Sequence, residues 1–131
     1  MRRMRALNRI LFFLATMTSA ASAGVLPLDG AYGNETGCAF FALGEVNEDM
    51  ILLTPDSFLN GKTGCDFDSA SALADGGFAV RGVCATPGQV SVKGDILKVQ
   101  AKDDSVVVFD GVEAVGPLLR CVVVDDPDFS A

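Results

Sequence analysis

The chain has 131 residues, with 10 lysines and arginines against 17 aspartates and glutamates, and it contains no histidine and no tryptophan. A surface of this charge repels nucleic acid and anionic membranes, so neither is predicted as a partner. The lack of histidine removes the usual general base and any serine–histidine arrangement, so the sequence predicts a protein that is not an enzyme.

The first 23 residues show the features of a secretory signal peptide in the usual order. The start "MRRMRALNR" has four arginines and no acid, the apolar run "ILFFLATMTSA" follows, and "ASAG" offers small residues at Ala21 and Ala23. The run is shorter than the ~20 residues that a permanent anchor needs. We therefore expect cleavage after Ala23 and one domain over residues 24–131 without a membrane anchor. Removing the four leader arginines leaves 6 basic residues against all 17 acidic ones, a net charge of −11.

The first part of this domain predicts two strands and a turn-rich connection. The stretch "AYGNETG" predicts a turn that leads into a strand, "TGCAFFAL" at 36–43, with apolar residues on both faces. A second strand, "MILLT" at 50–54, ends at Pro55. The following residues, 55–64, are rich in turn formers, and Asn60-Gly61 predicts a tight turn there.

The next stretch, residues 65–84, predicts an antiparallel hairpin that bends at 72–77. One register aligns three pairs, namely Cys65 with Cys84, Phe67 with Gly82, and Asp68 with Arg81. A slip by one residue would lose all three pairs. The alternative for part of this stretch is a helical turn over 69–75, which would weaken the register.

Four cysteines remain after the predicted cleavage, and they indicate a disulfide framework, because an even number in a small exported chain is typical of one. A zinc site would bring close C-x-x-C pairs or histidines, and the chain has neither. The hairpin places Cys65 and Cys84 within disulfide range. The remaining pair is Cys38–Cys121, which would join the first strong strand to the last.

The rest of the chain predicts further strands. Residues 89–101 predict a hairpin around Gly94-Asp95 in which Val92 faces Leu97. A turn at 102–105, a strand at 106–109, a loop at 110–117, a last strand at 118–124 and an acidic tail at 125–131, expected to be mobile, complete the order. We therefore predict an all-β fold, an antiparallel meander of about eight strands that closes into a small barrel or a sandwich with two disulfides.

Acidic residues occur in four clusters that could in principle bind calcium, but none has the spacing of a calcium loop, so solvated surface is the preferred interpretation. The clusters are Glu45/Glu48/Asp49, Asp66/Asp68, Asp103/Asp104 and Asp125/Asp126/Asp128. We predict no catalytic residue, no cofactor and no metal site.

The leader, the stretch "DGAYGNETGCAF" and the late "GPLLRC" together resemble small four-cysteine exported proteins of Gram-negative bacteria. That family has no assigned activity. The resemblance implies a periplasmic or secreted protein and carries over no functional residue.

Two classes of function follow from these features. The first is an exported binding module, an inhibitor or binder of a cationic protein or a small ligand in the cell envelope. The alternative is a structural or stress-related envelope protein without a discrete site. An apolar or acidic concavity would favour the first class, and an evenly charged surface would favour the second.

Overall fold

The computed structural model describes residues 24–111 and 113–122. The predicted signal peptide, residues 1–23, and the predicted acidic tail, residues 125–131, lie outside the described residues. In chain order the elements are β1 (Tyr32–Gly33), α1 (Glu35–Leu43), β2 (Ile51–Leu53), β3 (Ser57–Asn60), β4 (Thr63–Ala72), β5 (Phe78–Ala85), β6 (Val92–Lys102), β7 (Ser105–Phe109) and β8 (Ala114–Arg120).

The eight strands form a closed antiparallel barrel in which each strand pairs with the next and β8 returns to β1. This confirms the predicted all-β meander and chooses the barrel over the sandwich. The closing pairs are Tyr32 with Arg120 and Gly33 with Leu119. Because β1 and β8 pair with each other, neither presents an unpaired row of backbone N–H and C=O groups along that side. Closure therefore prevents these strands from pairing with strands of other chains.

Both predicted disulfides are present, Cys65–Cys84 and Cys38–Cys121. The first joins facing residues of β4 and β5, as the hairpin register predicts. The second joins α1 to the residue that follows β8, across 83 positions of sequence. The two ends of the described domain are thus linked both by backbone pairing and by a covalent bond.

The strand predicted at 36–43 is wrong, because these residues belong to α1. Asn34 begins the helix by accepting a hydrogen bond from the Gly37 N–H at 2.7 Å. Gly44 ends it in the left-handed region, with φ of 75° and its N–H donated to the Phe40 carbonyl. Cys38 therefore reaches Cys121 from a helix on the outside of the barrel, not from a neighbouring strand.

The predicted hairpin register holds only near its disulfide. Beyond Phe67 and Gly82, the strand β4 has an extra residue, Asp68, so that Ser69 faces Arg81 and the predicted Asp68–Arg81 pair is wrong. The bulge brings Ala70 opposite the fully buried Val80, where the regular register would have put a serine. Residues 69–72 continue as strand, so the alternative helical turn does not form.

Three other predicted boundaries are wrong. The turn-rich connection contains the strand β3, although its predicted tight turn is present after Asn60. The predicted hairpin around Gly94 is absent, since β6 runs through without a bend and pairs with β5 along its first part. The predicted loop at 110–117 ends at Ala114, where β8 begins, and β8 ends one residue before Cys121.

The barrel interior holds the main apolar cluster, which includes Leu53, Val80, Val99, Val106 and Val108 at 0–1% exposure. The segment before β1 covers one end of the barrel. Its Leu26 is 1% exposed within the same cluster, and the Leu26 N–H donates to the Pro55 carbonyl at 2.9 Å.

Candidate functional site

The end of the barrel opposite Leu26 is open, and we call it the mouth. It is formed where β3 ends, β4 begins, β5 ends and β6 begins. Phe58 on β3 faces Cys65 on β4, which faces Cys84 on β5, which in turn faces Val92 on β6. Because these residues lie opposite one another on the inner face, the Cys65–Cys84 disulfide forms part of the inner wall of the mouth.

A cavity of about 280 Å³ occupies the mouth. Its deep part is apolar and consists of Phe58, Ile96, Leu97 and the disulfide, while Val92 lies at the exposed edge. Its polar members are Asn60, Thr63, Asp95 and Asp110. Apolar walls with a few polar groups at the opening are typical of small-molecule sites, and a barrel of eight strands is wide enough to hold one small ligand.

A bulge in β6 shapes one wall of this cavity. Asp95 faces Arg81 and Leu97 faces Val80, so Ile96 is an extra residue without a partner on β5. Neighbouring residues of a regular strand point to opposite faces, yet Ile96 and Leu97 are both buried, at 8% exposure each. The bulge thus directs two consecutive large apolar side chains toward the same cavity.

The pairing of β6 explains why the wall is open at this point. The strand β7 pairs with β6 only from Lys98 to Lys102. On the side away from β5, the first half of β6 therefore lacks a paired strand and lies near Asp110 and Gly111, which follow β7. In the turn after β7 the Asp110 carboxylate accepts a hydrogen bond from the Glu113 N–H at 3.0 Å, which holds Asp110 at the edge of the cavity.

The charge around the cavity is negative. Its lining contains two carboxylates, of Asp95 and Asp110, and neither lysine nor arginine. Asp95 forms an ion pair with Arg81 at 2.8 Å on the outer surface, with both side chains more than half exposed. Exposed pairs of this kind are weak, so Asp95 can exchange part of this contact for a cationic group of a ligand.

A second cavity of about 290 Å³ continues from the first and shares four of its lining residues, Asp95, Ile96, Leu97 and Asp110. It extends the apolar surface over the ring of Phe109. The Lys98 ammonium lies 5.9 Å from the centre of that ring and 3.1 Å from the Asp75 carboxylate. The mouth therefore opens onto an apolar shelf whose one lysine is already engaged by an aspartate.

The predicted residues divide between the mouth and the outer surface. Cys65 and Cys84 line the cavity, whereas Cys38 and Cys121 lie outside the barrel. The acidic clusters within the described residues are exposed, at Glu45/Glu48/Asp49 after α1, at Asp66/Asp68 on β4 and at Asp103/Asp104 in the turn after β6. The fourth cluster, Asp125/Asp126/Asp128, lies outside the described residues. Over 24–111 and 113–122, no three potential metal ligands come together.

Sequence reasoning missed most of the mouth. Phe58 and Asn60 lie on β3, which looks like a turn in the sequence, and Asp95 to Leu97 lie where a hairpin is predicted. A usable signal was the alternation in "SFLN", whose phenylalanine and leucine point to opposite faces of β3. The cavity itself depends on the β6 bulge, which leaves no clear mark in the sequence.

Comparisons with protein-family models, with curated proteins and with solved structures found no match to the chain. In the part of the chain that the structure describes, no helix combines the length and the apolar character needed to cross a membrane.

Proposed function

We propose that the protein is an exported binding module without catalytic activity, and that its mouth holds a small ligand with an apolar body and a positively charged group. The observation that carries the proposal is the 280 Å³ cavity, with its apolar depth and two carboxylates at its opening. Such a concavity is the feature that distinguishes a binding module from an envelope protein without a discrete site. The absence of histidine from the sequence and the pairing of all four cysteines support a non-enzymatic role.

The proposed location is the periplasm or the extracellular space of a Gram-negative bacterium. Two disulfides support a compartment that is oxidising, and the first 23 residues support export. The exported protein should begin at Gly24, which the intact mass of material from the envelope or the medium will show. A protein there that retains Met1 would contradict cleavage.

Three probes with the same apolar body test the ligand class, namely 2-phenylethylamine, 2-phenylethanol and phenylacetate. Each is titrated into the ¹⁵N-labelled protein, and amide shifts are followed. We expect shifts at Thr63, Cys84 and Leu97, with the amine binding more tightly than the alcohol and the alcohol more tightly than the carboxylate. Dissociation constants on the order of millimolar are expected for probes of this size.

Two matched variants separate the charge effect from a general one. Asp110→Asn should reduce the preference for the amine, because only Asp95 then remains as a carboxylate of the lining, and should leave the alcohol bound as before. Asp103→Asn, in the turn at the other end of the barrel, should change neither. Equal binding of amine and alcohol would refute the cationic class, and the absence of shifts at the mouth with every probe would favour the structural alternative.

A further inference from the structure

The exposed large apolar side chains are concentrated in one region of the surface. The described residues include seven of them, and five belong to α1, to the loop after α1, or to the end of β8 and the two residues that follow it. These five are Phe41, Leu43, Val46, Leu119 and Val122, with exposures of 49%, 62%, 77%, 60% and 70%. Scattered exposed apolar residues need no explanation, but a concentration in segments that a disulfide joins does.

The Cys38–Cys121 disulfide brings these segments together. Val122 follows Cys121 directly, and Phe41 lies one helical turn after Cys38 on the same side of α1. Leu119 faces Gly33 across the β1–β8 ladder, so side chains at these two positions point to the same face. On that face, a Cβ on Gly33 would lie 3.5 Å from the Cys38 sulfur of α1, and Leu119 therefore lies beside the helix. We call the five residues the α1 surface.

The C-terminal half of α1 is more apolar than its packing on the barrel requires. Phe40 and Leu59 pack against the small outer cluster that contains Leu52 and Cys121. At 100° per residue, Phe41 and Leu43 project on opposite sides of Phe40, and both are exposed. A helix that is apolar on all sides is normally buried on all sides, so this half of α1 has the character of an interface.

The charges around the α1 surface select the partner. Between residues 24 and 61 the chain has six acidic residues and no lysine or arginine. Glu35, Glu45 and Asp49 flank the helix, and none of them forms an ion pair with another described residue. Glu48 is 3.9 Å from Lys62, and both side chains are largely exposed. Asp29, further along the chain before β1, is paired with Arg120 at 3.3 Å. The negative charge beside α1 is therefore compensated only in part within the described domain.

We infer that the α1 surface docks a basic protein that presents aliphatic side chains between lysines or arginines. A second copy of this chain is disfavoured, because it would place the acidic loop of one copy against the acidic loop of the other, and like charges repel. An anionic lipid is disfavoured because its head group would be repelled by the same loop. This inference goes beyond the proposed ligand in the mouth. It concerns a different face of the barrel and can fail while the mouth proposal stands.

The test uses two 14-residue helical peptides as probes, one of leucine and lysine and one in which glutamine replaces every lysine. Labelled peptide is titrated with the mature protein at low and at high salt, and amide shifts locate the contact. We expect the lysine peptide to shift residues of α1, of the loop 44–50 and of 119–122. Its affinity should fall by at least tenfold between 50 mM and 500 mM salt, whereas the glutamine peptide should bind weakly at both.

Matched variants decide whether this surface is the site. Leu43→Ser combined with Val46→Ser should weaken the lysine peptide at least tenfold, and Val90→Ser, at 91% exposure elsewhere, should change it less than twofold. Glu45→Gln with Glu48→Gln should weaken the lysine peptide at low salt only. All five substituted side chains are exposed, so the melting temperatures of the variants should match that of the unaltered protein.

Four results would overturn the inference. Amide shifts mainly outside α1, the loop 44–50 and residues 119–122, or an equal effect of Val90→Ser, would show that peptide binding is non-specific. Sedimentation that reveals self-association, lost in the Leu43→Ser/Val46→Ser variant, would identify a second copy as the occupant. Binding of anionic phosphatidylglycerol vesicles through the same residues would identify a membrane instead.

Discussion

Asn34 shows how one side chain can join a helix to a barrel. Its Oδ1 accepts hydrogen bonds from the N–H of Gly37 at 2.7 Å and of Ile51 at 2.9 Å, and its Nδ2 donates to the Asp49 carbonyl at 2.8 Å. The same side chain therefore caps α1, completes the start of β2 and holds the loop between them. In the sequence this asparagine belongs to a predicted turn and is also a residue type that signals a helix start, but its bonds to Ile51 and Asp49 follow only once α1 and β2 are adjacent.

Replacing Asn34 separates these contributions. Asn34→Ala should destabilise the protein by about 2 kcal/mol or more, because it removes a helix cap and leaves the Ile51 N–H without its acceptor. Asn34→Asp keeps the accepting oxygen and should lose less, since only the bond to Asp49 is missing. Urea unfolding of both variants measures the difference, and equal losses would contradict the role of Oδ1.

Tyr32 and Asp29 should give the stability a characteristic pH dependence. The Tyr32 hydroxyl donates to the Asp29 carboxylate at 2.8 Å. This bond, with burial as a second cause, raises the pKa of Tyr32, and it is the main cause that lowers the pKa of Asp29. The tyrosine contribution is present below its ordinary pKa of about 10 and is lost as the pH rises through the raised value. The aspartate contribution is present above its ordinary pKa of about 4 and is lost as the pH falls through the lowered value.

Tyr32→Phe provides the measurement. The difference in unfolding free energy between the unaltered protein and the variant should be greatest between about pH 5 and pH 9 and should decline on both sides. The Arg120 guanidinium, which forms an ion pair with Asp29 at 3.3 Å, partly opposes the rise in the pKa of Tyr32. A difference that stays constant up to pH 12 would mean that the hydroxyl acts through packing alone.

At the scale of elements, the helix α1 is the largest departure from the sequence prediction. Short apolar runs suit a buried strand or a buried helix equally well, and periodicity alone does not separate the two. The capping residues Asn34 and Gly44 were the available signals, because each lies at one boundary of α1. The bulges at Asp68 and Ile96 were not predictable from the local sequence. Each depends on which side chains of the neighbouring strand β5 are buried and which residues of the bulged strand pack against them.

Gly37 offers a test of how α1 packs on the barrel. An alanine inside a helix normally stabilises it by about 0.5–1 kcal/mol relative to glycine. Here the added methyl group would collide with the Ile51 carbonyl oxygen, so the helix would have to move away from β2. We therefore expect Gly37→Ala to lower the stability, by more than Gly88→Ala does. Gly88 has φ of 83° and open space around it, so its variant measures backbone strain alone.

Unfolding in urea compares the two variants with the unaltered protein. A stabilised Gly37→Ala protein would show that propensity dominates and that α1 is not held closely against β2. A loss at Gly37 that disappears when Cys38 and Cys121 are also replaced would show that the disulfide, and not the capping by Asn34, forces the close approach.

For the whole molecule, the all-β antiparallel meander and the disulfide connectivity were both predictable, whereas the choice of a barrel over a sandwich came from the structure. The strand count came from the frequency of turn formers, and the pairing of Cys65 with Cys84 came from a register that also aligned Phe67 with Gly82. The mouth was not predictable, because it results from the early end of the β6–β7 pairing and from a bulge. The positions of the four cysteines constrain which strands can be neighbours. The shape of the mouth depends instead on the residue at which the hydrogen-bonded pairing of β6 with β7 stops, and the sequence does not indicate that residue.

The two disulfides should differ in their effect on stability. Loop-closure entropy gives about 4.5 kcal/mol for the 83-residue separation and about 3 kcal/mol for the 19-residue one. The Cys38→Ser/Cys121→Ser protein should therefore be less stable than the Cys65→Ser/Cys84→Ser protein, as denaturant unfolding will show. Only the second pair lines the mouth, so only its loss should alter probe binding there. Equal stability of the two variants would mean that native-state effects outweigh chain entropy.

The nested arrangement of the two bridges also bears on the order of events as the chain is made. Synthesis proceeds from the N-terminus to the C-terminus. In a chain that is oxidised during synthesis, Cys38 and Cys65 therefore become available before Cys84, and Cys121 becomes available last. Pairing in order of appearance would join Cys38 to Cys65 and Cys84 to Cys121, and neither bond is native. Early oxidation favours the wrong partner for Cys65 only until Cys84 emerges, because the 19-residue separation between Cys65 and Cys84 closes more easily than the longer stretch between Cys38 and Cys65. A Cys38–Cys65 bond formed before that point must be exchanged, either by the thiolate of Cys84 or by an enzyme that exchanges disulfides.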